Sequence, residues 1–202
     1  MKYTALFLFA ILFMPAFTHA EESDRVIFKT QGQSFVVRNG KDLSTEPGMH
    51  LEKEDILKTG PNSQLDLTMN GLVGIRLLAE TQVRIMETEK EKMEIELKMG
   101  NIIANLKKLV AGSDFKVESQ TATLAVRGTQ FWGRVNAPVL PITTFAVREG
   151  NVNIIEKSSG KSFDLTPGQA LDIPETGGAI STRQAKPEEM QALEQAAELA
   201  FS

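Results

Sequence analysis

The side chains able to do chemistry are few in this chain, and their spacing assembles no familiar reaction centre. With no cysteine among the 202 residues, thiolate nucleophiles, thiolate metal sites and disulfides are all excluded. His50 is the only histidine beyond the apolar N-terminal stretch, and it sits in PGMHLEKED beside Glu52, Glu54 and Asp55. A zinc site needs three or four converging ligands at characteristic spacing. This run has no such pattern, so His50 reads as an exposed turn residue, and neither a metal nor a cofactor is expected. Ser34, Ser63, Ser113 and Ser119 lack the GxSxG elbow of a serine hydrolase, and any triad would have to rest on His50. The acids of ETEKEKMEIE, residues 87–96, alternate with lysines. They read as a solvated turn between strands rather than as a carboxylate pair set in a cleft. GSDFK and GTQFWG lack the lysine of a phosphate-binding loop. The chain is therefore expected not to be an enzyme.

A different kind of signal lies in LAVRGTQFW, residues 124–132. Leu124 and Val126 share one face of a strand, with Ala125 and Arg127 on the other. An unbroken strand would place Phe131 on the Arg127 face and Trp132 with Leu124. A bend or bulge at Gly128 resets the faces, because glycine accepts φ values that other residues avoid. Phe131 can then enter the core. Arg127, at the bend, can fork hydrogen bonds to carbonyls or to a carboxylate such as Glu149 in the later VREG block. Arg127, Gly128, Thr129, Glu149 and Gly150 are thus read as a structural motif, with ligand binding by the first three as the competing reading. Trp132 is the only tryptophan. It is expected buried or half-buried, whereas an exposed ring beside Arg134 would suit a peptide or sugar surface. Pro138 and Pro141 bracket Val139-Leu140, either as a long hairpin loop or as the rim of a groove. Loops carry binding functions more often than strands do. The candidate binding surface is therefore the stretch 134–142, with Arg134, Pro138, Leu140 and Pro141, together with Trp132 just before it.

The elements that must position these residues are mostly strands. QLDLTM, GIRLL, TQVRIME, MEIELKMG, DFKVES, TTFAVREG and NVNIIEK all place apolar residues at every second position. A half-buried strand requires that alternation. Turn residues separate the runs, and Asn70-Gly71 is the strongest hairpin signal. An all-β fold is expected, as a β-sandwich or β-roll of many short strands. The stretch 102–113 fits either helical turns or strands. Strand is favoured for 101–106, with Gly100 ending the strand before it. From Pro187 the period changes. Pro187 suits the first turn of a helix, Glu188 and Glu189 favour its positive end, and Met190, Leu193, Ala197 and Phe201 fall on one stripe. This amphipathic helix, 187–201, would pack on its own domain, cover an open edge or bind a partner. The preceding 176–186 reads as a linker. A faint internal echo pairs GQSFVVRNGKDLSTEPGMHLEKED with GNVNIIEKSSGKSFDLTPGQALDI.

Residues 1–20 carry Lys2, an apolar run and Thr18-His19-Ala20. That is the layout of a cleaved secretory signal peptide, with an uncleaved anchor as the competing reading. The apolar run is short for a membrane helix, which needs roughly 17 to 25 residues. No later run approaches that length, so the mature protein is expected to be soluble, without a membrane span. A net charge of −4 gives no concentrated basic surface for nucleic acid. The remaining chain, 21–175, is long enough to bury one apolar core.

Taken together these blocks resemble the FecR domain family, named after the ferric-citrate regulator of Gram-negative bacteria. The matching stretches are GQSFVVRNG, PGMHLEKEDILKTGPNSQLDLTMNG, IRLLAETQVRI, ELKMGNIIANL, FKVESQTATLAVRGTQFW, TTFAVREGNVNII and LTPGQAL. They span roughly residues 24 to 174, and VRGTQF followed by VREGNV is the sharpest pair. The resemblance implies a periplasmic β-rich domain without enzymatic activity. Well-studied relatives pass a signal from an outer-membrane receptor across the inner membrane to a sigma factor. This chain shows a signal peptide in place of their cytosolic part, so the domain carries over and the pathway does not. The expected role is protein–protein contact in envelope sensing or assembly, by sheet-edge pairing, the 134–142 loop or the C-terminal helix. A carbohydrate- or peptidoglycan-binding module is the alternative, and exposure of the aromatic rings discriminates between them.

Overall fold

The computed structural model describes residues 25–89, 92–107, 114–136, 142–175, 178–195 and 199. The apolar segment 1–20 and three of the candidate surface residues, Pro138, Leu140 and Pro141, lie outside the described residues. In chain order the strands are β1 (Arg25–Gln31), β2 (Ser34–Arg38), β3 (Lys41–Ser44), β4 (Ile56–Thr59) and β5 (Gln64–Met69). There follow β6 (Val73–Leu77), β7 (Gln82–Glu89), β8 (Lys92–Leu106), β9 (Asp114–Glu118), β10 (Ala122–Val126) and β11 (Gln130–Asn136). The last are β12 (Ile142–Glu149), β13 (Val152–Glu156), β14 (Ser162–Leu165), β15 (Gln169–Pro174) and β16 (Thr182–Gln184), before helix α1 (Pro187–Glu194).

The alternation along these strands builds an all-β sandwich, as expected. One sheet runs β1-β5-β6-β8-β11-β12-β15-β16, and the other β3-β2-β4-β7-β8-β9-β10-β13-β14. Leu65, Leu67, Ile75, Ile102, Phe131 and Phe145 of the first sheet join Val36, Leu57, Ile85, Ile95, Phe115 and Leu124 of the second in one buried cluster. Phe115 and Phe131 meet across the layers with ring centroids 6.5 Å apart. Fully burying side chains of this size stabilises the fold by roughly 1.5–3 kcal/mol each. No disulfide is involved.

Strand β8 belongs to both sheets. Its first half pairs with β7 and β9, its second half with β6 and β11. The preference for strand over 101–106 holds, but Gly100 does not end a strand. It turns the corner within one, at φ +90°, and a Cβ there would lie 2.5 Å from the Thr81 Cα. At Asn70-Gly71 both residues take positive φ, 52° and 61°, and the Leu72 N–H donates to the Met69 carbonyl at 3.0 Å, closing the β5–β6 hairpin.

The internal echo is structural. Strand β1 leads to the β2–β3 hairpin, then a Pro-Gly turn, then a segment that returns to β1. Strand β12 leads to the β13–β14 hairpin, then a Pro-Gly turn, then β15, which returns to β12. The two copies superpose in sequence at an offset of 120: Gly40 on Gly160 and Pro47-Gly48 on Pro167-Gly168. The Gly48 N–H donates to the Ile27 carbonyl and the Gly168 N–H to that of Val147, each at 2.8 Å. A bulge falls at Phe28 in β1 and at Arg148 in β12, again 120 residues apart.

Candidate functional site

The VRGT and VREG blocks meet at a corner between the sheets. Strand β10 lies in the sheet of β9 and β13, and β11 in the sheet of β8 and β12. Gly128, at φ +64°, makes the transfer. Leu124, Val126 and Phe131 therefore all reach the core, while Arg127 stays exposed at the bend. Gly150 closes the corner from the other block at φ +81°, and a Cβ there would lie 2.6 Å from the Gly128 carbonyl oxygen and 2.5 Å from the Thr129 Cγ2. Thr129 is buried; its carbonyl accepts the Leu106 N–H at 2.9 Å, and its hydroxyl has no partner among the described residues. Glu149 is exposed and opposes Gln130 in the β11–β12 ladder.

Beyond the corner, β11 presents its alternate face to helix α1. Ile103, Trp132, Ala146 and Ala170 form a cross-strand row on β8, β11, β12 and β15. Leu193 and Leu199 cover that row, with Met190 and Ala192 half-buried against it. Trp132 is consequently only 6% exposed. Of the destinations open to the helix, packing on its own domain is the one realised, and arginines fasten it. Arg183 of β16 pairs bidentately with Asp172 of β15, at 2.7 and 3.0 Å, and with Glu189 of α1, at 2.9 and 2.7 Å. Glu189 also accepts the Lys186 N–H at 2.7 Å, which satisfies the backbone donor at the helix start as the glutamate half of a capping box does. Arg148 donates to the Leu193 carbonyl at 3.2 Å, near the negative end of the helix. The stretch expected as a linker thus contains a short strand, because Arg183 holds it between a sheet carboxylate and a helix carboxylate. The Arg183 hydrogen bond is the main cause that holds the Asp172 carboxyl below its ordinary range. Burial pushes Glu189 up, but Arg183 and the Lys186 N–H outweigh it and leave it lowered.

Two residues along each strand the row turns polar. Asn101, Arg134, Thr144 and Asp172 face one another across β8, β11, β12 and β15. Helix α1 stops short of this row and leaves a trough of about 440 Å³, lined also by Leu78, Trp132, Asn136, Ile142, Lys186 and Glu188. A smaller hollow of about 240 Å³ adjoins it over Asn101, Arg134 and Asn136. The trough joins two of the residues expected at a binding surface, Trp132 and Arg134. It also contains Asn136, within the expected 134–142 stretch, and residues that the sequence did not single out: Asn101, Thr144, Asp172 and Arg183. Their signal was weak, since each stands alone in its own strand.

Nothing comparable gathers around His50, which is exposed and whose carbonyl accepts from Arg38 at 2.8 Å. Asp55 is instead clamped by Arg38, at 2.9 and 2.7 Å, and tightens the turn by accepting the Glu52 N–H. Among the described residues no three potential metal ligands converge, and no helix is long and apolar enough to cross a membrane.

The two sheets and the glycine corner define an all-β sandwich domain. Residues 55–153, just under half of the chain, match the family model described as FecR protein. The match holds the corner and strands β4–β12; β1–β3 precede it, β13 begins at its end, and β14–β16 and α1 lie beyond it. Two crystal structures of a candidate anti-sigma factor from Parabacteroides distasonis ATCC 8503, at 1.65 and 2.50 Å, share the fold. Each has a TM-score of 0.60 and 19% identity over 69% of this chain. The chain spans 64% of that protein's length. No curated protein matches.

Proposed function

We propose that this chain is a non-catalytic FecR-domain protein of the bacterial periplasm, exported by its N-terminal apolar segment, which binds another envelope protein in sensing or assembly. The observation that carries this reading is the trough beside α1, where Asn101, Arg134 and Asn136 offer hydrogen-bonding groups to an incoming chain. The terminal strands are less suited to pairing with a partner. Strands β3 and β14 have four residues each and β16 has three, and the seven-residue β1 is covered over Arg25–Ile27 by Gly48–Leu51, so few backbone groups are open to strand addition. A sugar-binding role needs a flat exposed ring, and the Trp132 ring lies under α1 at 6% exposure.

The test is site-specific photo-crosslinking in the native envelope, with the crosslinker at Asn136 and mass spectrometry of the adduct. The expected result is one saturable protein adduct that Arg134→Ala abolishes. Co-sedimentation of the protein with purified peptidoglycan, without any protein adduct, would overturn the proposal in favour of wall binding.

A further inference from the structure

We infer that the trough is a receptor for an extended peptide bearing a carboxylate, with Arg134 as its anchor. The inference rests on the protein-binding reading and adds the chemistry of the ligand. The trough sorts its charges into used and unused ones. Arg183 is consumed by Asp172 and Glu189. Arg134 and Lys186 are exposed, and neither side chain has an ion-pair partner among the described residues. The five residues that follow Asn136 in sequence, from Ala137 to Pro141, include no acid. The one unused acid lining the trough is Glu188, and Glu80 lines only the adjoining hollow. Across the lining three cations, Arg134, Arg183 and Lys186, meet three acids, Asp172, Glu188 and Glu189, so the opening for an anion is local to Arg134 and is not a net positive charge of the trough. An arginine fork is built for a carboxylate.

The neighbours of Arg134 indicate what carries that carboxylate. Asn101 opposes it on β8, and Asn136 follows it by two residues on β11. Each carboxamide both donates and accepts, as a peptide group does. Two residues of strand cover about 6.7 Å, and an extended peptide repeats its same-facing groups at that spacing. Leu78, Ile142 and Ala192 supply apolar wall, and Glu188 is placed to receive a peptide N–H or a basic side chain. The one aromatic side chain lining the trough is Trp132, and at 6% exposure it offers a sugar ring little face to stack on.

The experiment uses the mature chain, immobilised, with a hexapeptide library ending in a free carboxylate, the same library ending in an amide, and N-acetylmuramic acid as an acidic sugar. Retention is quantified by mass spectrometry. The free-carboxylate library should be retained roughly tenfold better than the amide, the scale of one charge-assisted hydrogen bond. Arg134→Gln should abolish the difference, Arg134→Lys should keep part of it, and Lys41→Gln on the distant β3 should leave it unchanged. Equal retention of both libraries overturns the carboxylate anchor while leaving peptide binding intact. Retention of the sugar alone, or of nothing, overturns the peptide receptor altogether. The crosslink at Asn136 then decides separately whether the chain still binds a protein.

Discussion

Replacing Gly150 by alanine tests the corner that joins the two motif blocks. The residue takes φ +81°, and its Cβ would fall 2.6 Å from the Gly128 carbonyl oxygen and 2.5 Å from the Thr129 Cγ2. Two costs add. An L-residue in the left-handed region loses roughly 1–2 kcal/mol, and forcing a methyl into packed surroundings costs about 1–3 kcal/mol more. Reduced freedom of the unfolded chain returns about 0.4–1 kcal/mol. The net loss is about 1–5 kcal/mol, towards the upper end because Thr129 is buried and the struck oxygen belongs to backbone. Gly40 supplies the control: it has φ +75°, but a Cβ there meets nothing within 4 Å, so only the conformational cost applies, about 0–1.5 kcal/mol net. Equilibrium urea unfolding, followed by Trp132 fluorescence and circular dichroism, gives both values. Gly150→Ala should lose about 2 kcal/mol more than Gly40→Ala, the cost of the clash alone. If the two variants lie within about 0.5 kcal/mol of each other, the usual scatter of a harmless substitution, the two blocks do not pack as described.

Leu193→Ala removes the fully buried residue of α1 and weakens its docking by about 2–4 kcal/mol. The helix should release before the sandwich unfolds, seen as a red shift of Trp132 emission with the circular-dichroism midpoint little changed. Arg183→Ala leaves Asp172 and Glu189 facing each other and should cost about 1–3 kcal/mol. Both carboxyls are held low in the fold, so their contribution is present above the ordinary carboxylate range and lost as pH falls; in the variant the fall in stability on acidification should be shallower, and its deficit against the parent should close at low pH. Glu156 accepts hydrogen bonds from Ser158 and Ser159, which hold its pKa at about 2 against an ordinary 4.5. Its contribution is therefore complete above pH 4.5 and lost towards pH 2, and Glu156→Gln should flatten the fall in urea midpoint across that window relative to the parent chain.

Period-two alternation made the strands legible, because each buries one face only. The corners were legible only where the alternation failed. Phe131 and Trp132 stood on the wrong faces for an unbroken strand, and that mismatch located the bend at Gly128. At Gly100 the core-facing positions also shift, from Met93, Ile95 and Leu97 to Ile102, Ala104 and Leu106, but Ile102-Ile103-Ala104 is apolar on both faces and hides the shift. The site was legible in its residue types and not in its assembly. Trp132 and Arg134 stood out as a rare aromatic and a nearby cation. Asn101 belongs to a separate strand, and Asp172, Arg183 and Glu189 come together only when β15, β16 and α1 pack. The burial of Trp132 likewise depends on Leu193 and Leu199, some sixty residues later.

The duplicated scaffold explains why the helix sits where it does. At the 120-residue offset, Ala146 and Ala170 of the second copy correspond to Val26 and His50 of the first, and Arg148 corresponds to Phe28. The two alanines are fully buried and let α1 approach the sheet, while Arg148 reaches the Leu193 carbonyl. In the first copy Val26 and His50 add bulk at the alanine positions, Phe28 is 43% exposed, and it has no group to donate to a helix end. The inner residues match instead: Ile27 with Val147, and Leu51 with Leu171, all buried. The copies therefore share what faces the core and differ in what faces outward. A single helix seat follows from that difference, and with it a single trough, since the trough exists only where α1 covers the apolar row and leaves the polar row beside it open.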